Sequence, residues 1–330
     1  MLDYKGELRN AKILVTGGTG SFGRAFIKKI FETEKTASVI IYSRDEYKQF
    51  LLRQEYNDLY LKRRIKFVIG DVRDMQRLYT ACKGVDYIVH AAAQKQVPSC
   101  EENMEEAIKT NVMGAMNIKN IALERDIKKV IALSTDKAVM PVNLYGATKM
   151  LSDKLLVDTE NDYNTKFAIV RYGNVANSRG SVIQVFKDIR DRGGHVYPVT
   201  DKRMTRFWID LKKAVELAMI ALLDSKGGET YVAKLPSFRI TDMVLSFEPD
   251  AEISEIGIRP GEKLHEMMIT EYDARKTVKR EDYFVIYPSE KQAIESGETL
   301  VNENFTYESD KNNEWLNVEN LREMIDGILK

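Results

Sequence analysis

An α/β fold with a doubly wound parallel sheet is what this sequence predicts, and two observations predict it. From Lys12 onward, short β-branched runs that are nearly free of charge at their centres alternate with longer stretches of helical period. The first of those runs leads through a glycine series straight into a helical stretch.

The strand candidates, in order, are KILVT, SVIIY, IKFVIG, DYIVHAA, KVIALS and FAIVRYG. Continuous apolar runs of this kind suit strands covered on both faces. Helix candidates between them include SFGRAFIKKIFE, MQRLYTACK and the long EEAIKTNVMGAMNIKNIALE. Glu101, Glu102, Glu105 and Glu106 read as the acidic opening of that last helix, where carboxylates complement the helix dipole. After about Arg179 the alternation loosens into short strands, helices and Gly/Pro punctuation such as HVYPVT, GIRPGEK and YFVIYPSE. The expectation is a Rossmann-type domain over residues 1–178 and a smaller C-terminal α/β lobe over 179–330. The amphipathic helix Leu211–Asp224 is able to return to the first domain.

Composition removes several classes of function. The chain has 330 residues, 44% of them hydrophobic, which is enough for a real core. Its 50 basic and 50 acidic side chains cancel, so the summed field offers no broad attraction for nucleic acid or an anionic membrane. The basic run Lys62, Arg63, Arg64 and Lys66 reads as a solvated loop before a strand. Cys82 and Cys100 are too few for a disulfide framework, and with three histidines they form no metal-ligand spacing. No metal is expected, and a cytoplasmic location is. The opening MLDYKGELRNAK has no apolar leader, and no stretch reaches the roughly 18 apolar residues of a membrane helix.

The glycine series marks a cofactor site. Gly17, Gly20 and Gly23 lie between a strand and a helix, where tight turns and free N–H groups receive a dinucleotide diphosphate. Thr19, Ser21 and Phe22 belong to the same loop. At the end of the second strand an acidic side chain would bond the adenosine ribose and repel a 2′-phosphate. Ser43 stands there, about 20 residues past Gly23, followed by Arg44 with a fork suited to phosphate. This favours NADP over NAD, whereas a shift of one residue would place Asp45 at the ribose and favour NAD. Asp71 and Val72 end the third strand toward the adenine, and Ala91 and Ala92 after the fourth let the cofactor lie close to the sheet edge. His90 reads as a packing residue.

The fifth strand delivers Thr135, Asp136 and Lys137, and YGATK follows. Tyr145 and Lys149 are four apart and share a helix face, where an ammonium would favour the phenolate needed to take a hydroxyl proton during hydride transfer.

The glycine series, the Thr135 strand end and the Tyr145/Lys149 pair resemble the extended short-chain dehydrogenase/reductases. Within them, SRDE, GDVRD, HAAAQKQVP, STDKA, LYGATK, RYGNV, SRGSV, MTRFWI and IRPGEKLHE resemble the C5-inverting UDP-N-acetylglucosamine 4,6-dehydratases of pseudaminic acid synthesis. That resemblance implies that Tyr145 takes the C4 hydroxyl proton, that Thr135 bonds the same oxygen and that Lys149 holds the nicotinamide ribose. It also implies that Lys137 removes the C5 proton while Asp136 protonates the departing C6 hydroxyl. Retaining relatives carry Asp-Glu after the threonine, whereas this chain has Asp136-Lys137. A UDP-sugar 4-epimerase has no use for that acid–base pair, and a non-catalytic NADP binder has none for Tyr145 and Lys149. The resemblance further implies that Arg206 and Arg259 bind the diphosphate of a UDP-sugar and that Glu262 binds its ribose. Asn174 would address the diphosphate or uracil, Lys95 would lie near the sugar, and a homo-oligomer would form through the helices near YGATK. Asn177, Gln184 and Met104 depart from the family pattern at places that border the substrate or shape loops.

Overall fold

In the computed structural model, described over residues 6–157, 164–175 and 182–329, each of the six strand candidates forms a strand. They are β1 (Lys12–Thr16), β2 (Ser38–Ser43), β3 (Ile65–Ile69), β4 (Tyr87–His90), β5 (Lys129–Thr135) and β6 (Lys166–Tyr172). All six pair in parallel, so helices must cross over between them and cover both faces. Successive side chains divide between the faces as the period of a strand requires. Ile13, Val15, Val39, Ile41 and Val89 enter one core. Leu14, Ile40, Tyr42 and Ile88 enter the other.

The C-terminal half adds β7 (Val196–Val199), β8 (Thr205–Phe207), β9 (Thr230–Ala233), β10 (Ser237–Arg239), β11 (Glu252–Glu255) and β12 (Met267–Ile269). It ends with β13 (Thr277–Lys279), β14 (Tyr283–Ile286) and β15 (Tyr307–Glu308). The large sheet runs β13-β14-β9-β6-β5-β4-β1-β2-β3. The helix Leu211–Asp224 does return to it: Ala214, Val215, Ala218, Ala221 and Leu222 join the core beside the first helix, Ser21–Thr33, and β9 then pairs in parallel with β6. Strands β7 and β8, with the helices Val182–Asp191, Ile240–Phe247 and Val318–Leu329, enclose a separate core around Phe186, Tyr197, Trp208, Met243 and Leu321. The boundary expected at 178/179, most of the SRGSV motif and Asn177 lie outside the described residues.

The long helix expected after Glu101 is divided. Glu101 and Glu102 end a short helix, Val97–Glu102, and Asn103 breaks the chain before Met104–Ala107, whose first turn holds Glu105 and Glu106. A π-helical segment, Ile108–Met113, then leads into Gly114–Glu124. Helical periodicity cannot distinguish this wider turn, which re-aims Asn111 inward.

Candidate active site

The order of strands reverses at β1, which lies between β4 and β2, and a crevice therefore opens at the carboxyl ends of these strands. A cavity of about 290 Å³ occupies that place. Gly17, Thr19, Gly20, Ser43, Arg44, Asp71, Val72, Ala91 and Ala92 all line it, as do Lys48 and Thr110, which the sequence reading did not single out. Ser21, Phe22 and Gly23 instead form the first turn of the helix Ser21–Thr33. The Phe22 ring stacks on Phe26 and Tyr172, so it serves packing.

The helix start fits a dinucleotide diphosphate. Its N-cap, Gly20, has no side chain with which to satisfy the first N–H groups, and these remain available to an anion. Gly17 has φ +64°, and a Cβ there would lie 2.9 Å from the Ala91 carbonyl. The loop is thus held close to the end of β4 by the absence of side chains.

At the ribose end, Asp45 caps the helix Glu46–Glu55 by accepting the Lys48 amide hydrogen at 2.9 Å, and it pairs with the Lys48 ammonium. Ser43 is buried, with Gln49 Nε2 donating to its hydroxyl and carbonyl at 3.0 Å. The Arg44 side chain is 63% exposed and lies 3.6 Å from Asp71.

The fourth strand end has a fixed tautomer. Thr16 Oγ1 accepts from the amides of Ala91 and Ala92, so its own hydrogen goes to His90 Nδ1, 2.8 Å away. Burial, and secondarily the charge of Lys149, push the imidazole down to about 3, which keeps it neutral. His90 is a packing residue, as the sequence suggested.

Catalytic candidates gather where β5 ends in a short turn, Asp136–Ala138, beside the helix Leu144–Leu156. Asn143 caps that helix through its oxygen, and its amide donates to the Gly261 carbonyl at 2.7 Å. Lys263 Nζ donates to the Val139 carbonyl. The IRPGEKLHE loop of the C-terminal half is therefore fastened to the turn that precedes Tyr145.

A chain of contacts links the cluster. A hydrogen bond joins Tyr145 to Thr135. Thr135 Oγ1 donates to Asp136 Oδ1 at 2.8 Å, and Lys137 Nζ donates to the same oxygen at 3.2 Å. Lys137 Nζ also reaches Asn174 Oδ1 at 3.0 Å and Glu266 Oε1 at 3.3 Å. Asp136 is wholly buried, and burial, followed by the charge of Glu266, raises its pKa. Burial works against the Lys137 ammonium, but Asp136 and Glu266 outweigh it and hold the amine charged.

Burial and the charge of Lys137 act on the Tyr145 phenol in opposite directions. Burial pushes the phenol up to about 12, and the ammonium that works against this is that of Lys137. Lys149 is buried, which lowers its pKa, and its charge is opposed by Asp153 one turn on.

Two substrate expectations also change. Arg206 is turned inward: it donates to the carbonyls of Thr205, Lys263 and Leu264 and pairs with Glu266 at 3.6 Å. Its donors are occupied by the loop, so it is not an open phosphate fork. Asn174 Oδ1 accepts from the Lys137 amine. Arg259 is exposed, and Glu262 keeps one buried oxygen, Oε2, with no protein partner. Lys95 is exposed on the segment between β4 and the helix Val97–Glu102.

Sequence reasoning missed Asn111 and Glu266. Asn111 accepts the Gln94 amide hydrogen at 2.8 Å and donates to the Gln94 carbonyl at 2.9 Å and to Thr148 Oγ1 at 3.0 Å. It ties the loop after β4 to the helix Leu144–Leu156. A signal for Glu266 existed: a lone carboxylate heading the apolar run EMMI has to find a buried cation.

A family model described as "Polysaccharide biosynthesis protein" matches residues 13–288. The chain is 44% identical over 327 residues to the UDP-N-acetylglucosamine 4,6-dehydratase (inverting) of Campylobacter jejuni, covering 95% of this chain and 97% of that one. It is 39% identical to a UDP-glucose 4-epimerase of Rickettsia conorii, over 83% of this chain and 82% of the relative. Among solved structures, Pen from Bacillus thuringiensis matches with a TM-score of 0.86 and 33% identity, over 97% of this chain and 99% of that one. The DesIV double mutant of Streptomyces venezuelae, a dTDP-glucose 4,6-dehydratase with NAD bound, matches with a TM-score of 0.67 and 22% identity, over 76% of this chain and 86% of that one, a likeness of fold.

Proposed function

The chain belongs to the polysaccharide biosynthesis protein family, and on that premise we propose that it is an inverting UDP-N-acetylglucosamine 4,6-dehydratase. The product would be a UDP-2-acetamido-2,6-dideoxy-hexos-4-ulose. One observation favours dehydration over the epimerisation named for another relative: a buried acid, Asp136, and an amine, Lys137, share one hydrogen bond beside the Tyr145–Thr135 pair. Epimerisation at C4 needs only the latter pair.

A bound nicotinamide dinucleotide supplies the acceptor that takes the C4 hydride and later returns it to C6. Tyr145 takes the C4 hydroxyl proton, with Thr135 bonding the same oxygen. The resulting ketone acidifies C5–H. Lys137, as the neutral amine, removes that proton, and Asp136, whose burial favours its protonated form, gives its own to the C6 hydroxyl, which leaves as water. Protonation of Asp136 removes one of the two carboxylates that hold Lys137 charged, a change in the direction of the neutral amine that the base needs. With hydride back at C6, a proton drawn from a group in exchange with solvent would reach C5 on the opposite face and invert that centre.

NADP is the proposed cofactor. Arg44 is exposed at the mouth of the crevice with Lys48 behind it, while the carboxylate of Asp45 is engaged as a helix cap. Arg259 would meet the UDP diphosphate, and the buried free oxygen of Glu262 suits a ribose hydroxyl. Lys149 would hold the nicotinamide ribose. A homo-oligomer is supported by Met104, Ile108, Met116 and Leu151, large apolar side chains exposed on or beside the helices that flank Tyr145.

A proton NMR time course with UDP-N-acetylglucosamine in D2O tests the function. A C6 methyl signal with deuterium at C5 and the couplings of the inverted sugar is expected. C4 epimerisation without a methyl group would overturn it.

A further inference from the structure

Two buried carboxylates, Asp136 and Glu266, share the single ammonium of Lys137, at 3.2 and 3.3 Å. Their surroundings differ. Glu266 also faces the Arg206 guanidinium, 3.6 Å away, and feels the charge of Lys263 from its own loop. Among the described residues, the other side-chain donor to Asp136 is the neutral hydroxyl of Thr135. The backbone of Glu266 is fixed on both sides by Ser309, whose Oγ accepts the Glu266 amide hydrogen at 2.9 Å and whose amide donates to the Glu266 carbonyl at 2.8 Å. The neighbouring His265 is turned away, bonded to Thr205 at 2.8 Å and facing Asp310. Asp136 Oδ2 and Glu266 Oε2 are buried without a protein partner.

We propose that Glu266 is a positioning residue for the elimination step: its carboxylate accepts from the Lys137 amine on the far side and, because Arg206 supports its negative charge, leaves Asp136 holding the proton destined for the C6 hydroxyl. This rests on the dehydratase reading given above.

Like charges that share one cation do not ionise equally, and the carboxylate with the second cation keeps the charge. The directions agree. Burial and then Glu266 raise Asp136, whereas Glu266, although its burial acts upward, is brought below the usual carboxylate range by Lys137, Arg206 and Lys263. The charged groups facing the pair are Lys137 and Arg206 across the cluster and Lys263 on the same loop, with the phenol of Tyr145 beyond Lys137. Asp136 must be protonated to act, so activity is lost as pH rises through its pKa. Removing the charge of Glu266 lowers that pKa and moves the limb toward acid.

The test compares the wild-type holoenzyme with Glu266→Gln and Glu266→Asp, using UDP-N-acetylglucosamine in D2O across about pH 5.5 to 9. The rise of reduced nicotinamide absorbance in a single turnover reports C4 oxidation, and the C6 methyl resonance reports elimination. In Glu266→Gln, elimination should fall up to about 10-fold at neutral pH, the loss that a shift of about one pH unit in the general acid carries. C4 oxidation should fall by no more than about threefold, and the elimination limb should move by about one pH unit toward acid. Glu266→Asp should recover a large part of the loss. Equal losses in both steps with an unmoved pH limb, or no loss in either, would overturn the role of Glu266. Absence of a methyl product from the wild-type protein would overturn the dehydratase reading itself, and the assignment of Glu266 to elimination with it.

Discussion

Gly23→Ala should loosen the grip on the cofactor far more than it weakens the fold. A Cβ at Gly23 would lie 2.5 Å from Gly18 Cα, 2.7 Å from Gly17 O and 2.8 Å from Gly18 C. Unstrained carbon contacts lie at about 3.5–4.0 Å, so the shortfall is about 1 Å, and it is against backbone. No side chain can swing aside, and the helix Ser21–Thr33 must move off the loop by a comparable distance. Overpacking of this kind costs about 1–3 kcal/mol, partly offset by the roughly 1 kcal/mol that alanine gains over glycine inside a helix. A net loss of about 0–2 kcal/mol would lower the melting temperature of a chain this long by no more than about 3 °C. The N–H groups meant for the diphosphate would be displaced by the same ångström, and a misplacement of that size can cost about 100-fold. Titration calorimetry with NADP and NAD, beside thermal unfolding without cofactor, separates the two effects. Gly327→Ala is the matched control. Nothing lies within 4 Å of its added Cβ in the helix Val318–Leu329, so it should stabilise by about 0.5–1 kcal/mol and leave binding unchanged. Native cofactor affinity in Gly23→Ala would refute the claim that this close approach forms the diphosphate cradle.

Four further outcomes are expected. Arg44→Ala should weaken NADP about 10- to 100-fold, as for a lost charge-assisted hydrogen bond, and leave NAD within about twofold, as read by competitive binding. Lys137→Ala should keep its cofactor but lose C5–H exchange with D2O by about 100-fold or more in NMR. Asn111→Ala strands the amide and carbonyl of Gln94 and should cost about 2–4 kcal/mol in denaturant unfolding. His90 titrates near 6.5 when unfolded and is held at about 3 when folded. The unfolded chain therefore binds the extra proton first, and stability falls as pH drops from about 6.5 toward 3. About 1.4 kcal/mol of this loss should fall between about pH 7.5 and 5.5 and vanish in His90→Asn, read as the difference between the two pH-stability curves.

The order of six parallel strands was legible because each is a short β-branched run, and burial on both faces leaves such runs almost no other use. The glycine loop was legible because its chemistry depends on neighbours in sequence: Gly17, Gly20 and Gly23 act within one turn of one another. Thr135, Asp136, Lys137 and Tyr145 also lie within eleven positions, and the fold gathers them as one cluster. What the tertiary structure decided is everything that depends on the C-terminal half. Which loop carbonyls would occupy Arg206, and which cation Glu266 would meet, follow from the docking of residues 258–266 against Val139 and Asn143. Those contacts join positions about 120 apart, and no local periodicity carries their sign or distance. The proton state of the site belongs to the same level. Burial and shared cations set it, and neither exists until Lys137 stands between two carboxylates that the sequence keeps 130 residues apart.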